Sequence, residues 1–234
     1  MNIAIIGYGK MGHIIEKVAV DKGITVKAKI DPSATDATHK EINSESLDGV
    51  DVCIEFTAPD VAVSNIKKIA ALGKNIVVGT TAWYDNLDDV KKLVEETGIG
   101  LIYSPNFSIG VNVFFRLIAD VSKMMDKIHD YDVKMSEAHH IHKKDAPSGT
   151  AKKIASIIKD NVDRVNDIDI KSIREGEVPG THTVKFESAA DIIELEHKAK
   201  NREGFALGSV MAAEWVNGKK GIYSIEDMMN EIIK

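Results

Sequence analysis

From Met1 to Ser104, short apolar runs alternate with amphipathic stretches, and this alternation constrains the fold more than any other feature. The apolar runs are NIAII, VKAKI, VDVCIEF, NIVVG and GLIYS, and the stretches between them include HIIEKVAVDKG, VAVSNIKKIAALG and NLDDVKKLVEET. Strands that alternate with helices indicate a parallel sheet, and nearly continuous apolar strands indicate helices on both faces. Gly23 and Gly73 are typical left-handed caps where two of these helices end. We therefore predict a doubly wound α/β domain.

The sequence changes in character after Ser104. GVNVFFRLIADVSKMMDKI has the pattern of a long amphipathic helix, DYDVKMSEAHH that of a strand, and FALGSVMAAEWVNG that of a closing helix. Between them, DIKSIRE, GTHTVKFES and DIIELEHKA alternate polar and apolar residues, which favours antiparallel strands exposed on one side. We predict a second, α+β domain over residues 107–207, inserted into a first domain of residues 1–106 and 208–234.

Composition disfavours several classes of protein. The net charge of -6 leaves no excess of Lys and Arg to neutralise nucleic-acid phosphates. The single cysteine, Cys53, lies in an apolar run and forms no internal disulfide, which favours a reducing cytoplasm. No apolar run approaches the roughly 20 residues of a membrane span, and the N-terminus has no signal-peptide pattern. We expect a cytoplasmic protein that acts on a small molecule.

A glycine-rich loop follows the first strand directly and precedes the first helix. It matches GxGxxG and consists of Gly7, Tyr8, Gly9, Lys10, Met11 and Gly12. Its glycines permit a tight turn, and the helix start presents N–H groups to a pyrophosphate. Asp31, at the end of the second strand, is placed to accept hydrogen bonds from an adenosine ribose. This pattern predicts dinucleotide binding.

Two other interpretations of this region stay open. The glycine loop could serve only to pack strand on helix, and Asp31 could serve only to cap the turn Asp31-Pro32-Ser33, because Asp before Pro commonly starts a turn.

The segment EAHHIHKKDAPSGTA, residues 137–151, concentrates acid–base and anion-binding groups. Asp145-Ala146-Pro147 interrupts the chain and Ser148-Gly149-Thr150 opens a helix, so backbone N–H groups, hydroxyls and nearby ammonium groups converge on one region. A carboxylate held there would lie beside an imidazole and a lysine that can transfer protons. The segment therefore predicts an anion site with acid–base groups beside it.

A metal site and a solvated polar loop without a role are the alternatives for this segment. A metal site is disfavoured because His139 and His140, as neighbours on an extended chain, point to opposite sides. Lys143 and Lys144 would also place positive charge beside the cation. A solvated loop is the usual outcome for a charged run, but the turn and helix start that follow argue against it.

The same segment resembles, almost residue for residue, the signature of the 4-hydroxy-tetrahydrodipicolinate reductases of the bacterial lysine pathway. The resemblance extends over nearly the whole chain, with further matching blocks at residues 56–59, 79–81, 104–112 and 174–186. It implies a Rossmann-like N-terminal domain that binds NADH or NADPH, and a second domain that binds substrate and forms a homotetramer through its sheet. The implied reaction reduces a cyclic, unsaturated dicarboxylate to tetrahydrodipicolinate with loss of water.

The resemblance also implies roles for individual residues, with no metal among them. His139 would be the acid/base residue and Lys143 the proton donor. The substrate would be bound by His140, Ser148, Gly149, Thr150 and Thr81. The cofactor would be bound by the glycine loop of residues 7–12 and by Asp31, Phe56, Gly79, Thr80, Thr81, Ser104, Pro105, Asn106 and Phe107.

Two departures from the family pattern concern the cofactor. The glycine loop is the shorter GxGxMG instead of the usual GxxGxMG, which leaves the contacts of Tyr8 and Lys10 open. Pro32, instead of a basic residue, follows Asp31. A carboxylate at Asp31 accepts a hydrogen bond from the ribose hydroxyl of NAD and repels the phosphate of NADP. We expect NADH to be used at least as well as NADPH.

Two histidines on strand-like stretches, His182 and His197, receive no role, because a satisfied core or interface histidine is at least as good an interpretation as a ligand contact. Two other functions share the cofactor domain: a different small amino-acid or keto-acid dehydrogenase, and a non-catalytic dinucleotide sensor. The first does not require the DAPSGT turn, and the second does not require a histidine and a lysine beside the nicotinamide.

Overall fold

The computed structural model describes residues 1–233, and these divide into two compact units. Unit 1 comprises Met1–Ile109 and the described chain from Glu203 onward, and unit 2 comprises Gly110–Arg202. The predicted domain boundaries were 106/107 and 207/208. The two units divide at 109/110 and 202/203 instead, and the second division comes earlier in the chain because the helix of FALGSVMAAEWVNG begins at Glu203 and lies wholly in unit 1.

Ten strands and seven α-helices make up the two units. In chain order they are β1 (Asn2–Ile6), α1 (Lys10–Asp21), β2 (Thr25–Ile30), β3 (Val52–Glu55), α2 (Pro59–Ala71), β4 (Asn75–Val78), α3 (Leu87–Thr97), β5 (Gly100–Tyr103), α4 (Ile109–Asp126), β6 (Asp132–His139), α5 (Gly149–Asn161), β7 (Ile170–Arg174), β8 (Thr181–Glu187), β9 (Ile192–Lys198), α6 (Glu203–Val216), β10 (Gly221–Ser224) and α7 (Ile225–Ile232). A 3₁₀ turn at Tyr84–Asn86 precedes α3. Within residues 1–233, no helix combines the length and hydrophobicity required to cross a bilayer.

Unit 1 contains a six-stranded sheet in the order β10-β5-β4-β3-β1-β2, with every neighbouring pair parallel. The central strands β3 and β4 are buried along almost their whole length because helices cover the sheet. The predicted doubly wound domain is confirmed. The strand order reverses at β1, between β2 and β3, and the carboxyl ends of strands at such a reversal form a ligand-binding crevice.

The C-terminal part of unit 1 corrects one expectation. The predicted closing helix is α6, but β10 and α7 follow it, and β10 extends the sheet as a parallel neighbour of β5. The sequence KKGIYS lacks the continuous apolar run of the central strands because β10 lies at the edge of the sheet and is only partly buried.

Unit 2 contains a four-stranded sheet in the order β7-β6-β8-β9. Both β6/β8 and β8/β9 are antiparallel, whereas β7 runs parallel to β6. The mixed, largely antiparallel sheet is therefore confirmed. Helices α4 and α5 contribute Phe114, Ile118, Ile154 and Ile158 to a core shared with Val184 and Phe186 of β8. Strand β9 is mostly exposed.

Candidate functional sites

The glycine loop lies at the carboxyl end of β1, where the strand order reverses. Gly7 has a φ of +89°, and a Cβ there would lie 2.2 Å from the carbonyl oxygen of Phe56. A Cβ on Gly12 would lie 2.5 Å from the carbonyl oxygen of Gly7. A Cβ on Gly9 would meet no described atom within 4 Å. The first two glycines therefore permit close packing, whereas Gly9 faces open space at the start of α1.

A cavity of about 300 Å³ lies beside this loop. Its walls come from the carboxyl ends of three adjacent parallel strands, the arrangement in which sheets of this kind bind ligands. The lining residues are Gly9, Lys10, Met11, Phe56, Thr57, Pro59, Gly79, Thr80 and Thr81. The Phe56 ring packs over Gly79, where a Cβ would lie 2.1 Å from it. The structure thus brings the predicted glycine loop, Phe56 and residues 79–81 together.

Tyr8 supports the loop and does not belong to the cavity lining. Its side chain is buried, and its hydroxyl hydrogen-bonds to the carboxylate of Glu16. Its ring centroid lies 4.2 Å from that of His13 and 4.9 Å from the Nζ of Lys29. These contacts connect the loop to α1 and β2.

Asp31 follows β2, and its carboxylate accepts three backbone hydrogen bonds. Oδ2 accepts from the N–H of Tyr8 at 2.9 Å, and Oδ1 accepts from Ser33 at 2.8 Å and Ala34 at 2.9 Å. Burial raises the pKa of Asp31, but the hydrogen bonds outweigh burial and leave this pKa below its usual value. Asp31 therefore caps the following turn and also contacts the glycine loop.

The Ser104–Phe107 block forms a turn after β5. The Ser104 hydroxyl donates to the carbonyl of Asn106 at 2.8 Å and accepts from its N–H at 3.0 Å. Phe107 is buried, with its ring centroid 6.2 Å from that of Phe56. These residues, including Pro105, are not part of the cavity lining among the described residues. The block approaches the cavity through the contact between Phe107 and Phe56.

In unit 2, His139 is the last residue of β6 and is only 7% exposed. Burial lowers the pKa of His139, and the charge of Glu137 acts in the opposite direction. Its Nδ1 lies 3.3 Å from Oε2 of Glu137 but lacks hydrogen-bond geometry. The ring of His140 lies near that of His142 instead, with centroids 6.1 Å apart. The two adjacent imidazoles therefore have different surroundings, as expected for an extended chain.

Lys143 lies in the loop after β6. Its Nζ is 2.9 Å from Oδ1 of Asp145, and its side chain is 25% exposed. The guanidinium of Arg174, on β7, donates from Nε to the Lys143 carbonyl at 3.3 Å and from Nη2 to the Asp145 carbonyl. The backbone of this loop is thereby connected to the sheet.

The predicted anion site lies at the start of α5. Ser148 is the N-cap, and its Oγ accepts from the N–H of Ala151 at 3.2 Å. A Cβ on Gly149 would meet no described atom within 4 Å, so the first helical residue leaves open space beside it. Thr150 follows in the first turn and is partly buried. An uncrowded helix start of this kind suits an anion.

Three residues without a predicted role, Glu137, Arg174 and His182, lie in the same cluster. Glu137 is fully buried and accepts hydrogen bonds from Ser172 Oγ at 2.9 Å and Arg174 Nη2 at 3.0 Å. It also accepts from the N–H of Ser148 at 3.1 Å. The sequence could have indicated Glu137, because it lies two residues before His139 and alternate residues of a strand share a face.

Potential ligand atoms of Glu137, His139 and His182 lie within 4.8 Å of one another. The carboxylate among them already accepts hydrogen bonds from a guanidinium, a hydroxyl and a backbone N–H. Burial raises the pKa of Glu137, but these bonds outweigh burial and keep the pKa below its usual value. The cluster is thus organised around an ionised carboxylate with its own donors.

Both halves of the chain match models of one protein family. Residues 1–107 match the N-terminal model of dihydrodipicolinate reductase, and residues 110–229 match the C-terminal model.

Curated relatives and one solved structure agree with the family models. The chain is 38% identical to a 4-hydroxy-tetrahydrodipicolinate reductase from Christiangramia forsetii, with 100% of both chains covered. It is 34% identical to one from Archaeoglobus fulgidus, over 98% of this chain and 100% of the relative. Its fold is similar to that of a dipicolinate-bound dihydrodipicolinate reductase from Paenisporosarcina sp. TG-14, with a TM-score of 0.82, 24% identity, and coverage of 97% and 99%. The chain therefore belongs to the dihydrodipicolinate reductase family.

Proposed function

We propose that this protein is a 4-hydroxy-tetrahydrodipicolinate reductase, which uses NADH or NADPH to form tetrahydrodipicolinate with loss of water. The observation that carries the proposal is the fold of EAHHIHKKDAPSGTA in a member of this family. That segment holds a buried imidazole at a strand end, a lysine in the next loop and an open helix start. Two reductases named for this reaction are 38% and 34% identical to the chain, over 100% and 98% of its length.

The glycine loop of unit 1 fits a dinucleotide. Gly7 and Gly12 permit the close backbone approach, and Gly9 leaves the start of α1 uncrowded. A nicotinamide cofactor, when bound, supplies the hydride. Residues 79–81 and Phe56 line the adjoining cavity, and we assign them to cofactor binding together with the loop. The Ser104–Phe107 block is assigned to the same role through the packing of Phe107 on Phe56.

The acid–base chemistry is assigned to unit 2. Burial keeps the pKa of His139 below its usual value, so the imidazole is neutral near pH 7 and can accept a proton. Lys143 is the proton donor, with its ammonium paired to Asp145. Protonation of the conjugated substrate nitrogen makes the adjacent carbon a better hydride acceptor.

The substrate carboxylates are assigned to the start of α5. Its backbone N–H groups at Gly149 and Thr150 and the hydroxyl of Ser148 are suitable donors, with His140 beside them. The similar protein from Paenisporosarcina was solved with dipicolinate bound, which is itself a dicarboxylate. The predicted contact of Thr81 with substrate stays a prediction.

We also propose that unit 2 forms a homotetramer through its sheet. In support, β9 exposes Ile192 and Ile193, with 54% and 38% of their surfaces accessible. Adjacent residues of a strand point to opposite faces, so the edge strand β9 exposes one apolar side chain on each face of the sheet, and exposed apolar groups of this kind favour association. Sedimentation equilibrium tests the assembly: a tetramer is expected, Ile192→Asp should weaken it, and a monomeric native protein would contradict it.

We propose a cytoplasmic location as well. Cys53 is buried in β3, and burial raises the pKa of its thiol to about 12, which suits a residue used for packing. Cell fractionation of the native host with a cytoplasmic marker enzyme checks this location.

The activity is tested by following NADH absorbance while a synthase generates the substrate in place from pyruvate and aspartate semialdehyde. We expect NADH oxidation that depends on both the synthase and this protein. Oxidation of NADH by keto acids, or reduction of NAD⁺ by amino acids, in the absence of the synthase would favour another dehydrogenase. Tight NADH binding without turnover of any of these substrates would favour a dinucleotide sensor.

A further inference from the structure

We propose that the buried Glu137–Arg174 ion pair is a positioning unit for the proposed reaction, in which Glu137 orients His139 and Arg174 holds the backbone of the Lys143 loop. The inference rests on the proposed function. The inference goes beyond the proposed function because it assigns a role to two residues that are not among the proposed substrate-binding or cofactor-binding residues.

The ion pair is placed where a stability role alone is a poor explanation. The side chain of Glu137 is fully buried, and that of Arg174 is 20% exposed. Removing a carboxylate from water costs free energy that pairing only partly returns, and apolar replacements of such pairs are often neutral or stabilising. A buried ion pair beside two proposed acid–base residues is better explained by a role in positioning those residues.

Strand register brings the carboxylate to the imidazole. Glu137 and His139 share the buried face of β6, and Glu137 lies opposite Ser172 on β7 and His182 on β8. Its Oε1 accepts from Ser172 and Arg174, and its Oε2, which also accepts from the N–H of Ser148 at 3.2 Å, lies 3.3 Å from the Nδ1 of His139. Contacts of acid–base groups are often long before substrate binds. An ionised carboxylate only accepts hydrogen bonds, so in the proposed role, where this contact reaches hydrogen-bond geometry, Nδ1 carries the proton.

This arrangement leaves Nε2 of His139 as the nitrogen that exchanges protons. The hydrogen bond at one ring nitrogen determines which tautomer is present. Gly180 lies beside the other nitrogen, and a Cβ there would be 3.1 Å from Nε2. Because Gly180 has no side chain, it leaves space next to Nε2 that a Cβ would fill.

Several charged or titratable groups face His139 from the surrounding elements. They are Glu137 on β6, Arg174 on β7, His182 on β8, and Lys143 and Asp145 in the loop. Burial, Lys143 and Arg174 disfavour the imidazolium, whereas Glu137 and Asp145 favour it, Glu137 more strongly. Burial lowers the pKa of His182 to about 4, so His182 is neutral near pH 7. Glu137 is thus the main group that offsets burial at His139.

Arg174 connects Glu137 to the loop that carries Lys143. One guanidinium reaches the carboxylate of Glu137, the carbonyl of Lys143 and the carbonyl of Asp145. The planar fork of Arg makes such divergent bonds possible, and the single ammonium of Lys does not reproduce them. The two proposed acid–base residues are therefore held by one ion pair.

The first test replaces the carboxylate by its neutral isostere, Glu137→Gln, with Glu177→Gln as matched control. Glu177 is 83% exposed and pairs only loosely with His142 at 3.6 Å. NMR titration of the His139 imidazole should show its pKa lowered in Glu137→Gln, and the acidic limb of kcat/KM should move to lower pH. The kcat should fall by about 10- to 100-fold, the range found for carboxylates that orient metal-ligating histidines in the same way. The affinity of Glu137→Gln for NADH should match that of the native protein. The control variant Glu177→Gln should match the native protein in each of these measurements.

The second test, Arg174→Lys, keeps the charge and removes the fork. Amide exchange of residues 143–145 should accelerate and kcat should fall, while the titration of His139 stays close to native. This variant keeps the inference testable if Glu137→Gln does not fold.

Two results would overturn the inference. One is a His139 titration in Glu137→Gln that matches the native protein, and the other is native loop exchange together with native kcat in Arg174→Lys. NMR titration and amide exchange are both measured without turnover. A failure of the proposed function would instead appear as absent turnover in the native protein, so the two failures can be distinguished.

Discussion

At the scale of single residues, the chemistry depends on a few polar side chains whose surroundings differ sharply. Lys143 is paired with Asp145 at 2.9 Å, whereas its neighbour Lys144 is exposed. His139 is buried beside Glu137, and His140 is near His142. Adjacent residues of the same type therefore have different expected roles.

Lys143→Ala should lower kcat by roughly two to four orders of magnitude, the range for loss of a positioned proton donor. NADH affinity should stay nearly unchanged, because the assigned cofactor residues lie in unit 1. Lys144→Ala is the control and should retain native kcat. Loss of NADH binding in Lys143→Ala, measured by fluorescence titration, would instead show that Lys143 has a structural role.

Asp31 should set the cofactor preference. Its ionised carboxylate repels the ribose phosphate of NADPH, so kcat/KM with NADH should be at least equal to that with NADPH. Asp31→Ala should narrow the gap between them. Asp31→Asn tests the charge more cleanly than Asp31→Ala, because its amide oxygen can still accept the hydrogen bonds that the backbone N–H groups of Ser33 and Ala34 donate to Asp31. A tenfold advantage for NADPH, about 1.4 kcal/mol, would contradict this assignment.

At the scale of elements, the starts of two helices are the predicted anion sites. Helix α1 begins after Gly9, and α5 begins after the N-cap Ser148. Both starts have open space where a glycine lacks a side chain. A helix start attracts anions through its free N–H groups and its dipole, so space beside it is what permits binding.

Gly149→Val should raise KM for the dicarboxylate by filling the space at the start of α5. We expect about a 10- to 100-fold increase, equivalent to roughly 1.4–2.8 kcal/mol of lost binding. Because Gly149 is not crowded by described atoms, the helix should still form, and circular dichroism checks this. Gly149→Ala should give a smaller increase. An unchanged KM in Gly149→Val would count against the anion site.

At the scale of the whole molecule, buried titratable groups make stability depend on pH. Burial lowers the pKa of His182 from 6.5 to about 4 in the folded state. The unfolded chain therefore binds more protons between these values, and stability is lost as pH falls from about 6.5 towards 4. Glu137 acts in the same direction at lower pH, because its pKa lies below its usual value when folded.

The free energy of unfolding should accordingly fall by about 2–3 kcal/mol between pH 7 and pH 4 through His182 alone. Urea denaturation across this range measures the effect. His182→Gln should flatten the curve between pH 6.5 and 4, whereas the exposed His129→Gln should leave it as in the native protein. If the free energy of unfolding of the native protein did not change between pH 6.5 and 4, the lowered pKa of His182 would be contradicted.

Local pattern was sufficient to predict both sheets, most of the helices and the residues of the main motifs. Apolar runs and glycine positions depend on neighbours in the chain, so β1, α1 and the glycine loop follow from sequence directly. The edge strand β10 was missed because its partial burial leaves little hydrophobic pattern. Helix α7 was missed with it, although Ser224 forms a capping box with Asp227 at its start.

Only the tertiary structure determined which distant residues meet. The need for glycine at Gly7 comes from the carbonyl of Phe56, which follows a different strand. The contact of Glu137 with Arg174 depends on the register of β6 and β7, and that with His182 on the register of β6 and β8. Register depends on which face of each strand is buried, and these strands are far apart in the chain, so no single segment determines how they pair. The sequence by itself therefore determined the chemical groups available, and the fold determined which of them act on one another.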